Sequence, residues 1–138
     1  MSLIKWNDEI YSVDLQQIDE HHKTLVGLIN NLHESMLEGK GKDVMDGLLN
    51  ELNKYTVYHF GAEEDLMVKH GYPEEDFKAH KKEHDSFKAK LEDLLEKYQN
   101  EERTISIETF KFLKEWLTNH IQKVDKKFAP FLKSKGVA

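Results

Sequence analysis

Cysteine is absent from the 138 residues, which excludes disulfides, thiolate zinc sites, iron–sulfur clusters and thiol redox chemistry. Imidazole and carboxylate are then the only strong metal ligands available. Proline occurs only twice and β-branched residues never gather into an alternating run, so a mostly helical chain is favoured over a sheet. No stretch approaches the roughly 20 apolar residues of a membrane span, and Met1 to Tyr11 has neither the basic nor the apolar region of a signal peptide. A cytoplasmic protein with no membrane insertion is the simplest expectation. Positive charge is also in deficit: the net charge is −6, and the lysines are scattered among acids instead of forming a stripe, so nucleic acid is not an expected partner. The length suits one domain with a real hydrophobic core.

Four long amphipathic segments remain. The first opens at Asp19 as N-cap and carries His22, Leu25, Ile29, Leu32 and Met36 at three- and four-residue steps, until Gly39, Lys40 and Gly41 break it. The second runs from about Asp43 to His70 with Leu48, Leu52, Tyr55, His59, Glu63 and Leu66 in phase, stopped by Gly71 and Pro73. The third starts near Pro73 and continues through Phe77, His80, His84, Phe87, Leu91, Leu94 and Tyr98 to the polar stretch Gln99 to Arg103. The fourth begins around Ser106 and aligns Phe110, Leu113, Leu117, His120 and Val124 before ending near Pro130. Short connections make neighbours antiparallel, so the expected fold is all-α, an up-down-up-down four-helix bundle. An N-terminal arm (1–18) with Trp6, Ile10, Tyr11 and Val13 would pack over the bundle (19–128), leaving a tail (129–138).

Seven polar groups interrupt the apolar seams: His22, His59, Glu63, His80, His84, His120 and Asp125. Burying even one without a partner costs a few kcal/mol, so seven in one core need a shared compensator. A pair of divalent cations would serve. His59 and Glu63 are four apart, as are His80 and His84, which stacks each pair on one helix face. His120 and Asp125 are five apart, and a regular helix would turn the carboxylate about 140° away. A π-bulge between His120 and Phe128 is therefore predicted, since such bulges favour functional sites. Imidazoles with few carboxylates suit iron, manganese, zinc or copper better than calcium or magnesium.

With Trp6 near the start, Ile-Asp-Glu-His-His-Lys at 18–23, His-Phe-Gly-Ala-Glu-Glu-Asp-Leu-Met at 59–67, Gly-Tyr-Pro at 71–73, His80 with His84, and Trp-Leu-Thr-Asn-His-Ile-Gln-Lys-Val-Asp at 116–125, the chain resembles the hemerythrins, non-haem di-iron oxygen carriers, in particular their single-domain bacterial form. The resemblance implies a four-helix bundle holding two hydroxo- or oxo-bridged iron ions. His80, His84 and His120 would hold one iron and His22 and His59 the other, with Glu63 and Asp125 bridging. Dioxygen, the expected partner, would bind at the two-histidine iron and leave as dioxygen, so no enzyme activity is implied. The matching pocket positions are Leu25, Phe60, Trp116, Leu117 and Ile121. Two departures are Phe128, where the family often has tyrosine, and Asp14, which replaces a frequent glycine.

Singly, any of these histidines is more often a hydrogen-bonded core residue than a ligand. Occurring together in phase with four seams, they point to a site. His21, His33 and His70 are assigned to solvent-facing positions, Asp125 competes with a role in a surface ion pair, and Glu64 competes with Glu63. Oxygen sensing or iron handling by the same site is an alternative function. His84-Asp85 also allows a metal-dependent phosphohydrolase, whereas a ferritin-like oxidase would want Glu-x-x-His on two helices and the chain has none.

Overall fold

In a computed structural model, which describes residues 3–39, 42–99 and 107–137, every regular element is helical. The elements are α1 (Asp8–Tyr11), α2 (Gln16–Leu37), α3 (Lys42–His70), α4 (Glu74–Gln99), α5 (Ile107–Asn119), a π turn (His120–Asp125) and α6 (Lys126–Ser134). Helix α3 packs on α2 and α4, and α5 packs on α2, while Phe87 of α4 stacks on Trp116 of α5 at 4.1 Å. The expected antiparallel four-helix bundle is thus present, its fourth rod being α5, the π turn and α6 end to end. The expected breaks at Lys40 and Gly41 and at Ser106 lie outside the described residues, as does the polar stretch Gln99 to Arg103 apart from Gln99, which ends α4.

Apolar periodicity explains the rods. Leu25, Ile29 and Leu32 of α2, Leu52 and Phe60 of α3, Phe87 and Leu91 of α4, and Phe110, Leu113 and Leu117 of α5 are all buried. Burial of each such side chain contributes about 1.5–3 kcal/mol. On α3 the buried stripe is broader than the expected seam. Leu52, His59 and Glu63 are buried as expected, Met45 and, one position along, Leu49, Thr56 and Met67 are buried too, and Leu48, Tyr55 and Leu66 sit beside them, half-buried. The long helix is contacted from two sides, and the sequence pattern does not say which flank faces the centre.

Helix α3 ends in a Schellman turn. Gly71 has φ +73°, its N–H bonds Val68 O at 3.4 Å and the Tyr72 N–H bonds Met67 O at 2.9 Å, a closure that requires the left-handed backbone glycine supplies. The Pro73 carbonyl then accepts the Phe77 N–H at 2.8 Å and starts α4.

Two boundaries differ from expectation. Helix α2 begins at Gln16 instead of Asp19, whose N–H already bonds Leu15 O at 2.9 Å. The Asp19 carboxylate is spent on the arm: it accepts from Ser12 Oγ at 2.6 Å and from the Val13 N–H at 2.8 Å. The fourth rod continues past Pro130 to Ser134 because Ala129 and Leu132 are buried, which outweighs the one backbone bond proline removes. In the arm, Ile4, Tyr11 and Val13 are buried and Trp6 is half-buried, stacked on Tyr11 at 5.3 Å, but Ile10 is exposed. Ile4 exchanges two 2.8 Å bonds with the Asn30 amide, and Tyr11 Oη meets Thr118 Oγ1 at 3.1 Å, so the arm is tied to both α2 and α5.

Asp14 has φ +60° and is the one described non-glycine residue in the left-handed region. An L side chain is strained there. Asp14→Gly is expected to raise unfolding stability by about 0.5–1 kcal/mol, read as a higher urea midpoint at unchanged slope.

Candidate metal centre

All seven groups singled out from the seams converge at the arm-covered end of the bundle. His22, His59, Glu63, His80, His84, His120 and Asp125 are each at least 98% buried. His22 comes from the second turn of α2, His59 and Glu63 from the last three turns of α3, and His80 and His84 from the first three turns of α4. That is the level at which antiparallel neighbours meet. The π turn supplies His120 and Asp125. There the Lys126 N–H bonds Ile121 O, five residues back, and the widened turn brings Asp125 inward to 1% exposure. The predicted irregularity is therefore present, and Asp125 is no surface ion-pair residue.

Five imidazoles present Nε2 to two carboxylates. Glu63 Oε1 lies 2.9 Å from His59 and 3.5 Å from His84, and Oε2 lies 4.0 Å from His80. Asp125 Oδ2 is 3.0 Å from His22, whereas Oδ1 is 3.1 Å from His80 and 3.3 Å from His120. Each carboxylate thus faces two groups of histidines at once. Glu63, His80, His84 and His120 form one set that could hold a cation, and His22, His59 and Glu63 form another.

Although these atoms are close, both oxygens of Glu63 and of Asp125, and Nε2 of His22, His59 and His80, make no hydrogen bond. Within each set of candidate ligands the donor atoms lie within 4.8 Å of one another. Donors about 2.1 Å from an octahedral first-row cation stand about 3 Å apart along each edge, which is the spacing found. A metal-bearing centre fits these orphaned atoms, and no protein group does.

The electrostatics agree. Burial and Asp125 push the Glu63 carboxyl up, but His59 and His84 outweigh them and hold it down at about 2. Asp125 is likewise penalised by burial, yet His120, His22 and His80 keep it well below the usual carboxylate range. Burial lowers the His120 imidazole, and Asp125 and Glu83 carry it up to about 10. Both carboxylates are therefore ionised, and in the metal-free protein the raised His120 supplies positive charge beside Asp125. Burial keeps His59 below the ordinary histidine value, which leaves a neutral imidazole, the form that donates a lone pair.

Outer partners orient the rings. His84 Nδ1 contacts Glu64 Oε2 at 2.9 Å, His120 Nδ1 faces Glu83 Oε2 at 3.4 Å, and His59 Nδ1 meets His21 Nδ1 at 2.8 Å. Phe60 stacks on His84 at 3.9 Å and Trp116 on His120 at 4.5 Å. Sequence reasoning passed over His21, Glu64 and Glu83 in these roles. Each is the immediate neighbour of one of the seven, and a 100° rotation turns it from the shared centre toward an adjacent helix. The assignment of three histidines to solvent needs correction: His21 is buried, its ring wedged between Tyr55 and Tyr58, His33 is half-buried edge-on to Phe110, and His70 is half-buried as well.

Of the expected pocket residues, Leu25, Phe60, Leu117 and Ile121 are buried and Trp116 is half-buried. A cavity of about 220 Å³ lined by Tyr72, Asp76, His80, Glu83, Lys123 and Lys127 approaches the site beside the π turn. Asp85, the second member of the dyad that a phosphohydrolase would use, is half-exposed and pairs with Lys81 at 3.0 Å and Lys88 at 3.4 Å. It points away from the centre. Among the described residues, no helix is long and apolar enough to cross a membrane.

Comparison with known proteins places this geometry. The Hemerythrin HHE cation binding domain family matches residues 13–132. A bacteriohemerythrin of Methylococcus capsulatus is 36% identical over 96% of this chain and 98% of its own. A bacteriohemerythrin of Pseudomonas aeruginosa is 34% identical over 91% and 78%, and a hemerythrin-like protein of Naegleria gruberi is 33% identical over 88% and 87%. The crystal structure of a wild-type hemerythrin superposes with a TM-score of 0.87 at 36% identity, covering 95% of this chain and 98% of that one. Given a family match across nearly the whole bundle and a buried histidine–carboxylate cluster at its centre, the chain belongs to the hemerythrin family.

Proposed function

We propose that this protein binds dioxygen reversibly at a di-iron centre. His80, His84 and His120 hold one iron, His22 and His59 the other, and Glu63 and Asp125 bridge. The observation that carries this reading is the double-facing geometry of the two carboxylates, with Asp125 Oδ2 toward His22 and Oδ1 toward His80 and His120. Three histidines would hold one ion and two the other, which would leave the second with the smaller share of protein ligands. Two iron ions held there would supply the redox chemistry of reversible dioxygen binding.

The chain's own contribution is placement and exclusion. Leu25, Phe60, Leu117 and Ile121 supply buried apolar bulk, which would keep out the water and protons that promote irreversible oxidation. Stacked Phe60 and Trp116 hold the His84 and His120 ring planes. No general acid, base or nucleophile is required, so the activity is carriage or storage, not turnover. Sensing oxygen or holding iron would use the same ligands.

Anaerobic protein reconstituted with ferrous iron is expected to take up about two ions per chain. Oxygen should then raise a visible charge-transfer band that degassing abolishes over repeated cycles. Iron uptake without that band would leave iron handling as the function, and phosphate-ester hydrolysis without it would favour the hydrolase.

A further inference from the structure

We infer that His21 positions His59 by accepting the hydrogen of its Nδ1, and so sets how tightly the two-histidine ion is held. The inference rests on the reading of His59 as an iron ligand. Two imidazole nitrogens 2.8 Å apart can bond only if one carries a hydrogen and the other is bare. His59 turns Nε2 to the centre, 2.9 Å from Glu63 Oε1, and a neutral ring that offers its Nε2 lone pair carries its hydrogen on Nδ1. His59 therefore donates and His21 accepts, with the His21 hydrogen on Nε2.

The contact is built, not incidental. His21 precedes His22 by one residue, so their side chains diverge by about 100°, His22 toward the centre and His21 toward α3. The His21 ring lies edge-on to His59 at 5.0 Å and 82°, and Tyr55 and Tyr58 pack against it at 5.9 and 5.3 Å, which restrains its rotation. Without an acceptor here, the Nδ1 hydrogen of a buried His59 would lose its bond, at the full cost of an unsatisfied donor.

The other outer contacts are chemically different. His84 and His120 present Nδ1 to the carboxylates of Glu64 and Glu83, and an anionic acceptor makes a metal-bound imidazole a stronger donor than a neutral acceptor does. The three-histidine ion is thereby favoured twice, by ligand number and by ligand basicity. The two-histidine ion depends on a neutral acceptor, His21, to keep one of its two imidazoles in place. Loading is consequently ordered, with the two-histidine position filled second.

Anaerobic titration with cobalt(II), followed by absorption and equilibrium dialysis, tests this on the parent, His21→Leu and His21→Gln. The parent should bind two ions with unequal affinities. His21→Leu should weaken the second ion about 10–100-fold and leave the first unchanged, and His21→Gln, whose amide oxygen can accept, should recover most of the loss. In the zinc-loaded parent, ¹⁵N NMR should show scalar coupling between the two Nδ1 atoms across the hydrogen bond, a signature that packing alone does not produce and that needs no variant to fold. Parental affinities in His21→Leu, equal weakening of both ions, no recovery with glutamine, or no coupling would each overturn the inference with the di-iron site intact. A parent that binds fewer than two ions would instead overturn the site, and the role of His21 with it.

Discussion

Glu63→Gln is expected to lower iron content from about two ions per chain to under about one and to abolish the oxygen-dependent band. Glu63 is fully buried and faces both histidine groups, through His59, His84 and His80. Its removal therefore costs each position a ligand and the centre one negative charge. Glutamine keeps the shape, so helix content should persist, but the stability that iron adds to the parent should shrink to near zero. Metal analysis and thermal unfolding with and without iron measure both effects. Parental iron content in the variant would remove Glu63 from the ligand set and with it the bridged arrangement.

Stripping iron with a chelator is expected to have the largest effect on stability. Each ion held at about a thousandfold excess over Kd contributes about 4 kcal/mol, so losing two should lower the thermal midpoint by more than about 10 °C. The pH dependence of the stripped protein follows from two groups. His120 is raised from 6.5 to about 10, so its stabilising contribution is fully present below pH 6.5 and is lost as pH rises through about 10. Glu63 is lowered from 4.5 to about 2, so its contribution is present above pH 4.5 and is lost as pH falls through about 2. Both are present between pH 4.5 and 6.5, while burial of His59, which lowers its pKa from 6.5, costs stability as pH falls, so the stripped protein should be most stable toward the upper end of that window.

Metal loading runs the other way. A cation must displace the His120 proton, so affinity should rise about tenfold per pH unit for each proton released. Cobalt(II) binding measured at pH values between 6 and 8, with calorimetry in buffers of different ionisation enthalpy, would detect that release. Affinity independent of pH over this range would contradict a protonated His120 in the metal-free site.

Much of the site was legible because its signal is local and periodic. His59 with Glu63 and His80 with His84 lie one helical turn apart, and each falls in phase with leucines that had to face inward. Even the five-residue gap from His120 to Asp125 was informative, since a buried carboxylate at that spacing requires a widened turn. The outer partners were not legible. Nothing in the local pattern distinguishes Glu64, which reaches His84, from Asp85, which faces solvent, because the difference lies in which helix stands alongside.

The sequence by itself determined four amphipathic helices, their antiparallel order and the seven polar groups on their inner faces, since those properties depend on composition and on a 3.6-residue period. Only the tertiary structure decided that Asp19 serves the arm instead of capping α2, that Pro130 stays within a helix, and that His21 is buried against His59. In each case a contact outside the helix's own repeat outweighs a local preference, about 1 kcal/mol for a cap and about 3 kcal/mol for a proline, and such contacts exist only once the elements have packed.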